Sequence, residues 1–126
     1  MNRDQTEDGT IVTMTPQEVS DAIDRREIVL IDVRTPQEFS FERIPAALLS
    51  PMQSFDPAYL PGQADKRIVL HCGSAVRSGK VAEQCLKAGF DEIAHMEGGL
   101  AAWKEAGLEY TGTDMGTGAP KAMRKE

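Results

Sequence analysis

No apolar run in the sequence approaches the roughly 18 residues that a membrane-spanning helix needs. A membrane is therefore not expected as a partner. Met1 to Gly9 lack the basic start and apolar centre of a signal peptide, so the chain is expected in the cytoplasm. Positive charge is also short: the formal net charge is −6 and the pI about 4.9. Phosphate backbones are bound by positive surfaces, so nucleic acid is not an expected partner. Any site for a small anion must be built locally, against the overall field. Cysteine is scarce, with only Cys72 and Cys85. In a reducing compartment two such thiols are core filler or chemistry rather than a disulfide.

Metal and nucleotide signatures are missing as well. There is no Cys-x-x-Cys or His-Glu-x-x-His pattern, so no metal is expected, and His71 and His95 read as packing or supporting groups. Gly98-Gly99 is not followed by the spacing of a phosphate-binding glycine loop and reads as a tight turn into a helix. No cofactor is expected.

What is present fits one domain. A length of 126 residues suits a single core, and 40% apolar with 27% charged residues is globular composition. Residues 1–9 and 110–126 read as polar tails around a domain at 10–109, since neither offers much to bury. Between them lie short apolar runs: Ile28 to Ile31, Ala46 to Leu49, Arg67 to Leu70 and Glu92 to Met96, with Ile11-Val12 as a short first strand. Runs with so little alternation suit strands covered on both faces. Thr15-Pro16-Gln17-Glu18 and Thr35-Pro36-Gln37-Glu38 are two capping boxes with proline at the first helical position. A third helix is predicted from about Arg77 to Ala88, ending at Gly89-Phe90, and a fourth from about Leu100 to Ala106, ending at Gly107-Leu108. The alternation predicts an α/β domain with a mostly parallel central sheet and helices on both faces.

In open α/β sheets, ligands sit beyond the carboxyl ends of the strands. The run at 67–70 leads directly into His71-Cys72, a small-residue loop and a helix. A helix N-terminus or a nearby cation lowers the pKa of a cysteine. Inward amides from Gly73, Ser74, Ala75 and Val76 would cradle a thiolate or persulfide without a histidine base. Arg77 supplies a cation at the loop's end, and Arg34 is expected either to supply another from the neighbouring strand or to form a plain ion pair with Asp32 at the strand end. Cys85 lies on the apolar face of the third helix, about 12 Å from its start at 1.5 Å per residue, and reads as core.

Four segments, in order, carry a family resemblance: Asp32-Val33-Arg34-Thr35-Pro36-Gln37-Glu38-Phe39; Arg43-Ile44-Pro45-Ala46; His71-Cys72-Gly73-Ser74-Ala75-Val76-Arg77-Ser78; and Met96 through Trp103. Together they resemble the rhodanese domain over about residues 10 to 109. The resemblance implies a thiosulfate sulfurtransferase in which Cys72 takes sulfur from a donor and passes it, as a persulfide, to cyanide, a small thiol or a protein thiol. Cys72 matches the catalytic cysteine and Gly73 to Arg77 the active-site loop, with Arg77 at the donor's anionic end. Asp32, Arg34 and Ser78 match supporting positions. The family often has glycine where Ala75 stands, so the backbone there must avoid a positive φ or accept strain. It also often has His-Ile-Pro-Gly in place of Arg43 to Ala46.

Two other readings compete. Rhodanese-shaped phosphatases need one residue more between cysteine and arginine than the four that separate Cys72 from Arg77. A sulfur carrier or partner-docking domain without efficient turnover would have the same sequence features. A monomer and a homodimer are equally compatible with the chain.

Overall fold

The structure is a computed structural model that describes residues 1–124. In chain order the elements are β1 (Asn2–Thr6), β2 (Gly9–Met14), α1 (Pro16–Asp24), β3 (Ile28–Asp32), α2 (Pro36–Phe41), β4 (Leu48–Leu49), β5 (Arg67–His71), α3 (Val76–Lys87), β6 (Glu92–Met96), α4 (Gly99–Glu105), β7 (Tyr110–Thr113) and β8 (Pro120–Met123). Short 3₁₀ turns at Met52–Ser54 and Pro57–Tyr59 cross from β4 towards β5. The main sheet has the order β1-β2-β6-β5-β3-β4. Every pairing in it is parallel except β1 with β2.

Strand side chains alternate between two separate cores. Val12, Met14, Leu30, Val69, Ala94 and Met96 face α1 and α4, where Val19, Ala22, Leu100 and Trp103 meet them, and Phe39 of α2 packs alongside. Ile31, Ile68, Leu70 and Ile93 face α3, packing on Val81, Ala82, Cys85 and Leu86. Each face of the sheet is thus covered by helices, as the unalternating apolar runs predict.

The local signals act as predicted. Thr15 and Thr35 both close capping boxes with Glu18 and Glu38. Helix α3 ends in a Schellman turn: Phe90 N–H donates to the Cys85 carbonyl and Gly89 N–H to that of Leu86. Leu108 and Gly107 repeat the pattern on Trp103 and Lys104.

Three stretches differ from the sequence reading. The expected run from Ala46 to Leu49 is shortened to Leu48–Leu49, because Ala47 N–H turns back to the Ile44 carbonyl at 3.0 Å. The stretch 1–9, expected as a tail, holds β1. All five of its side chains are exposed, so it enters the sheet through backbone pairing and surface polar contacts and leaves no hydrophobic pattern to read. The stretch 110–126, also expected as a tail, holds the β7–β8 hairpin; residues 125 and 126 lie outside the described residues. There Asp114 accepts from the amides of Gly116 and Thr117, which hold its carboxyl below the usual range and close the connecting turn. Tyr110 anchors the hairpin in the α1/α4 core, with Lys104 Nζ 5.0 Å from its ring centre.

That anchor is testable. Tyr110→Ala should lower unfolding free energy by about 3 kcal/mol, the range for removing a buried aromatic side chain. Urea denaturation checks it, and an unchanged midpoint would return this segment to a dispensable tail.

Candidate active site

Strand β5 delivers Cys72 to the end of the sheet, and residues 73–75 fold over it before α3 begins. The Cys72 sulfur accepts hydrogen bonds from Ala75 N–H at 3.1 Å and from Ser78 N–H at 3.3 Å. The thiol lies 3.7 Å from Ser78 Oγ, to which it donates. Burial pushes this thiol up, but the amides of Ser78, Ser74 and Ala75 and the Ser78 hydroxyl outweigh it, so its pKa lies below the ordinary value. Cys85 has burial without amides, and its thiol is pushed up to about 11. Both cysteines are free.

The ring of amides requires an unusual backbone. Ala75 sits at φ +92°, ψ −9° as the N-cap of α3. A left-handed conformation strains any residue with a Cβ, by about 1–2 kcal/mol. Of the two options the sequence left open at Ala75, the chain takes the strained one, and its N–H thereby points at sulfur.

A second buttress comes from α4. Leu100 N–H donates to the Cys72 carbonyl at 2.9 Å and Ala101 N–H to that of Gly73 at 3.2 Å. Gly99, at φ +60°, permits this approach; a Cβ there would stand 2.4 Å from the Cys72 carbonyl oxygen and 2.6 Å from Ser74 N. The Gly98-Gly99 turn therefore opens the helix, as read from the sequence, and also seats it on the loop.

The supporting residues form two further groups. Asp32 and Arg34 are a buried ion pair, closed by Arg34 Nη2 on Asp32 Oδ2 at 2.8 Å and on the Glu42 carbonyl at 2.6 Å. Of the two roles expected of it, Arg34 takes the ion pair and does not supply a free cation, because its charge is spent on Asp32. The pair reaches the cysteine only through His71, which lies opposite Asp32 in the β3–β5 ladder. His71 Nε2 is 3.4 Å from Asp32 Oδ2, and Nδ1 is 3.2 Å from the Cys72 carbonyl. Burial pushes His71 down despite Asp32, so the ring is held neutral. On the other side, His95 Nδ1 is 3.0 Å from Ser78 Oγ and Nε2 is 3.5 Å from Thr13 Oγ1.

Arg77 departs furthest from expectation. Its guanidinium lies beside Gly73, where a Cβ would meet Nη2 at 3.3 Å. Two of its nitrogens bond Glu38, Nη1 to Oε1 at 2.7 Å and Nη2 to Oε2 at 2.9 Å. Glu38 was legible in the sequence only as a helix cap; no local signal pairs it with a residue 39 positions away. Val76 points outward and is 64% exposed, whereas Cys72 is 0% exposed. In this conformation the sulfur is closed off, and a donor reaches it only after the loop or Arg77 shifts. Among the described residues, no group of three or more His, Cys, Asp or Glu side chains is placed to hold a metal ion, and no helix is long and apolar enough to cross a membrane.

Comparison with known proteins places this geometry. The family profile described as "Rhodanese-like domain" matches residues 15–106. An uncharacterised protein of Synechocystis sp. is 41% identical over 99 residues, covering 79% of this chain and 55% of that protein. The chain thus spans about half of that relative's length. A protein of Allochromatium vinosum named sulfurtransferase is 31% identical over 85 residues, covering 68% of this chain and 79% of that one. The solution structure of a rhodanese-like domain from Anabaena sp. superposes with a TM-score of 0.71 at 18% identity, covering 86% of this chain and 84% of that one.

Two predictions follow from the thiol's surroundings. At about pH 7, below the ordinary thiol value of roughly 8.5, iodoacetamide should label Cys72 and leave Cys85 untouched, as peptide mass mapping would show. The labelling rate should rise with pH through an inflection lower than that of a free cysteine; an inflection at or above the free value would mean that the amides do not favour thiolate. Ala75→Gly should raise unfolding free energy by about 0.5–1 kcal/mol, since strain relief exceeds the added freedom of the unfolded chain. A loss of stability there would show that the positive φ carries no strain.

Proposed function

The chain belongs to the rhodanese-like domain family, and on that basis we propose that it is a sulfurtransferase carrying a sulfane sulfur as a persulfide on Cys72. The Cys72 thiolate attacks the outer sulfur of a donor. With thiosulfate, a new S–S bond forms to Cys72, the bond to the sulfonate sulfur breaks, and sulfite leaves with the electron pair. The persulfide then passes its outer sulfur to a thiol or to cyanide, and the Cys72 thiolate returns.

The observation that carries this reading is the pair of amides on sulfur, from Ala75 at 3.1 Å and Ser78 at 3.3 Å. They favour thiolate before attack and receive the persulfide anion afterwards, with no separate base. The loop from Gly73 to Val76 provides the cradle, and Ser78 adds its hydroxyl. Arg77, once drawn off Glu38, receives the anionic end of a donor that has one. The Asp32–Arg34 pair packs against His71 beneath the start of the loop; a neutral ring that donates Nδ1–H to the Cys72 carbonyl leaves its Nε2 without a hydrogen-bond partner. The name of the Allochromatium relative supports sulfur transfer in general. The donor, the acceptor and a cytoplasmic setting belong to this proposal.

A carrier loaded and unloaded by protein thiols is a second form of the same reading. The full burial of Cys72 favours it, since a docked partner is one way to open the loop.

Incubation with thiosulfate should add one sulfur to the intact protein, about 32 Da. Cyanide should discharge it as thiocyanate. Cys72→Ser should gain nothing, and Cys85→Ala should load as the parent does. Hydrolysis of an aryl phosphate that is lost in Cys72→Ser would replace sulfur transfer with a phosphatase.

A further inference from the structure

Arg77 stands at the end of the loop with its guanidinium beside Gly73, yet its charge is already answered. Glu38 meets it with both oxygens, the fork-to-fork arrangement in which a guanidinium binds a carboxylate or an oxyanion. The Arg77 guanidinium, ahead of the Thr35 amide and hydroxyl, holds the Glu38 carboxyl down to about 2, so Glu38 is ionised at neutral pH. Glu38 in turn pushes Arg77 up.

Glu38 is also fixed in place. Its Oε1 accepts from Thr35 N–H at 3.1 Å and from Thr35 Oγ at 3.1 Å, while Thr35 Oγ accepts from Glu38 N–H at 3.2 Å. The carboxylate cannot swing away from Arg77 without giving up its bonds to the Thr35 amide and hydroxyl. An anionic donor must therefore draw Arg77 off a tethered competitor, and then sit beside that competitor's uncompensated charge.

We propose that Glu38 is a specificity-determining residue that occupies the donor-binding guanidinium of Arg77 and selects against donors with an anionic sulfonate head, such as thiosulfate. It favours donors whose transferable sulfur is carried on a thiol, as in a persulfide. The inference rests on the sulfur-transfer reading above and names the donor class for that same site. With a thiol persulfide, the Cys72 thiolate takes the outer sulfur, the donor's S–S bond breaks, and the donor leaves as a thiolate. No oxyanion has to be bound at Arg77.

Glu38→Gln isolates the charge, because glutamine also serves at the third position of a capping box. Loading of Cys72 would be followed by intact mass at varied thiosulfate and, separately, at varied glutathione persulfide. Glu38→Gln should raise the ratio of thiosulfate to glutathione-persulfide loading efficiency by about threefold to tenfold, the size expected for releasing a half-exposed bidentate pair. Glu38→Gln/Arg77→Gln should lose that gain. A binding measurement stands apart from transfer: sulfite should protect Cys72 of Glu38→Gln from iodoacetamide at a concentration about threefold to tenfold lower than in the parent. An unchanged or reduced ratio, with unchanged or weaker sulfite protection, would overturn the role of Glu38 and make the pair a plain loop clamp. If neither donor loads the parent protein, sulfur transfer itself fails, and sulfite protection still decides whether Glu38 blocks an anion at Arg77.

Discussion

Two main-chain N–H groups on one sulfur are the contact on which the rest of this molecule is organised. Among the described residues no lysine, arginine or histidine hydrogen-bonds Cys72 Sγ, so apart from the Ser78 hydroxyl its stabilisation depends on backbone direction. Direction is a fold-level property. It needs β5 to end where it does, Ala75 to be left-handed, and α3 to begin at Val76 so that the Ser78 amide is still unclaimed by a helical carbonyl. It also needs α4 to fasten the loop from behind, which only a glycine at position 99 allows. A polar side chain aimed at sulfur would be easier to assemble but also easier to misplace, since rotamers vary more than a buried backbone does.

Much of this is legible in the sequence because it is written in local rules. The capping boxes at Thr15 and Thr35, the glycine stops at Gly89 and Gly107, and the apolar runs of β3, β5 and β6 each follow from residues within one turn or one strand. The position of Cys72 follows from the same logic, as a thiol between a buried strand and a helix start. What escaped the reading has no such local signature. Strand β1 buries no side chain, and the Glu7-Asp8 loop that turns it back on β2 is not one of the glycine pairs that mark a tight hairpin. The β7–β8 hairpin hides a single anchoring tyrosine in a polar stretch. The pairing of Glu38 with Arg77 joins two helices that are far apart in sequence, and a residue already explained as a cap gives no reason to expect a second duty.

The charges around the site are arranged in layers. Deepest lies the Asp32–Arg34 pair, which together with neutral His71 adds no net charge to the interior. Nearer the surface, Arg77 and Glu38 cancel in the same way. An acidic protein thereby presents little field to a small anion near its most reactive atom. Charge is handled by pairing and the thiol chiefly by dipoles, although Cys72 and Arg77 still act on each other electrostatically.

The main sheet also has unusual ends. One edge is β1, whose outward side chains include Arg3 and Asp4, with Arg3 bonded to Glu92 at 3.0 Å. The other is β4, which offers a ladder of only two residues. Charge on one rim and brevity on the other are both ways of discouraging strand addition from a neighbouring chain. A domain sealed like this can be joined to other domains, or crowded at high concentration, without its sheet extending into an aggregate.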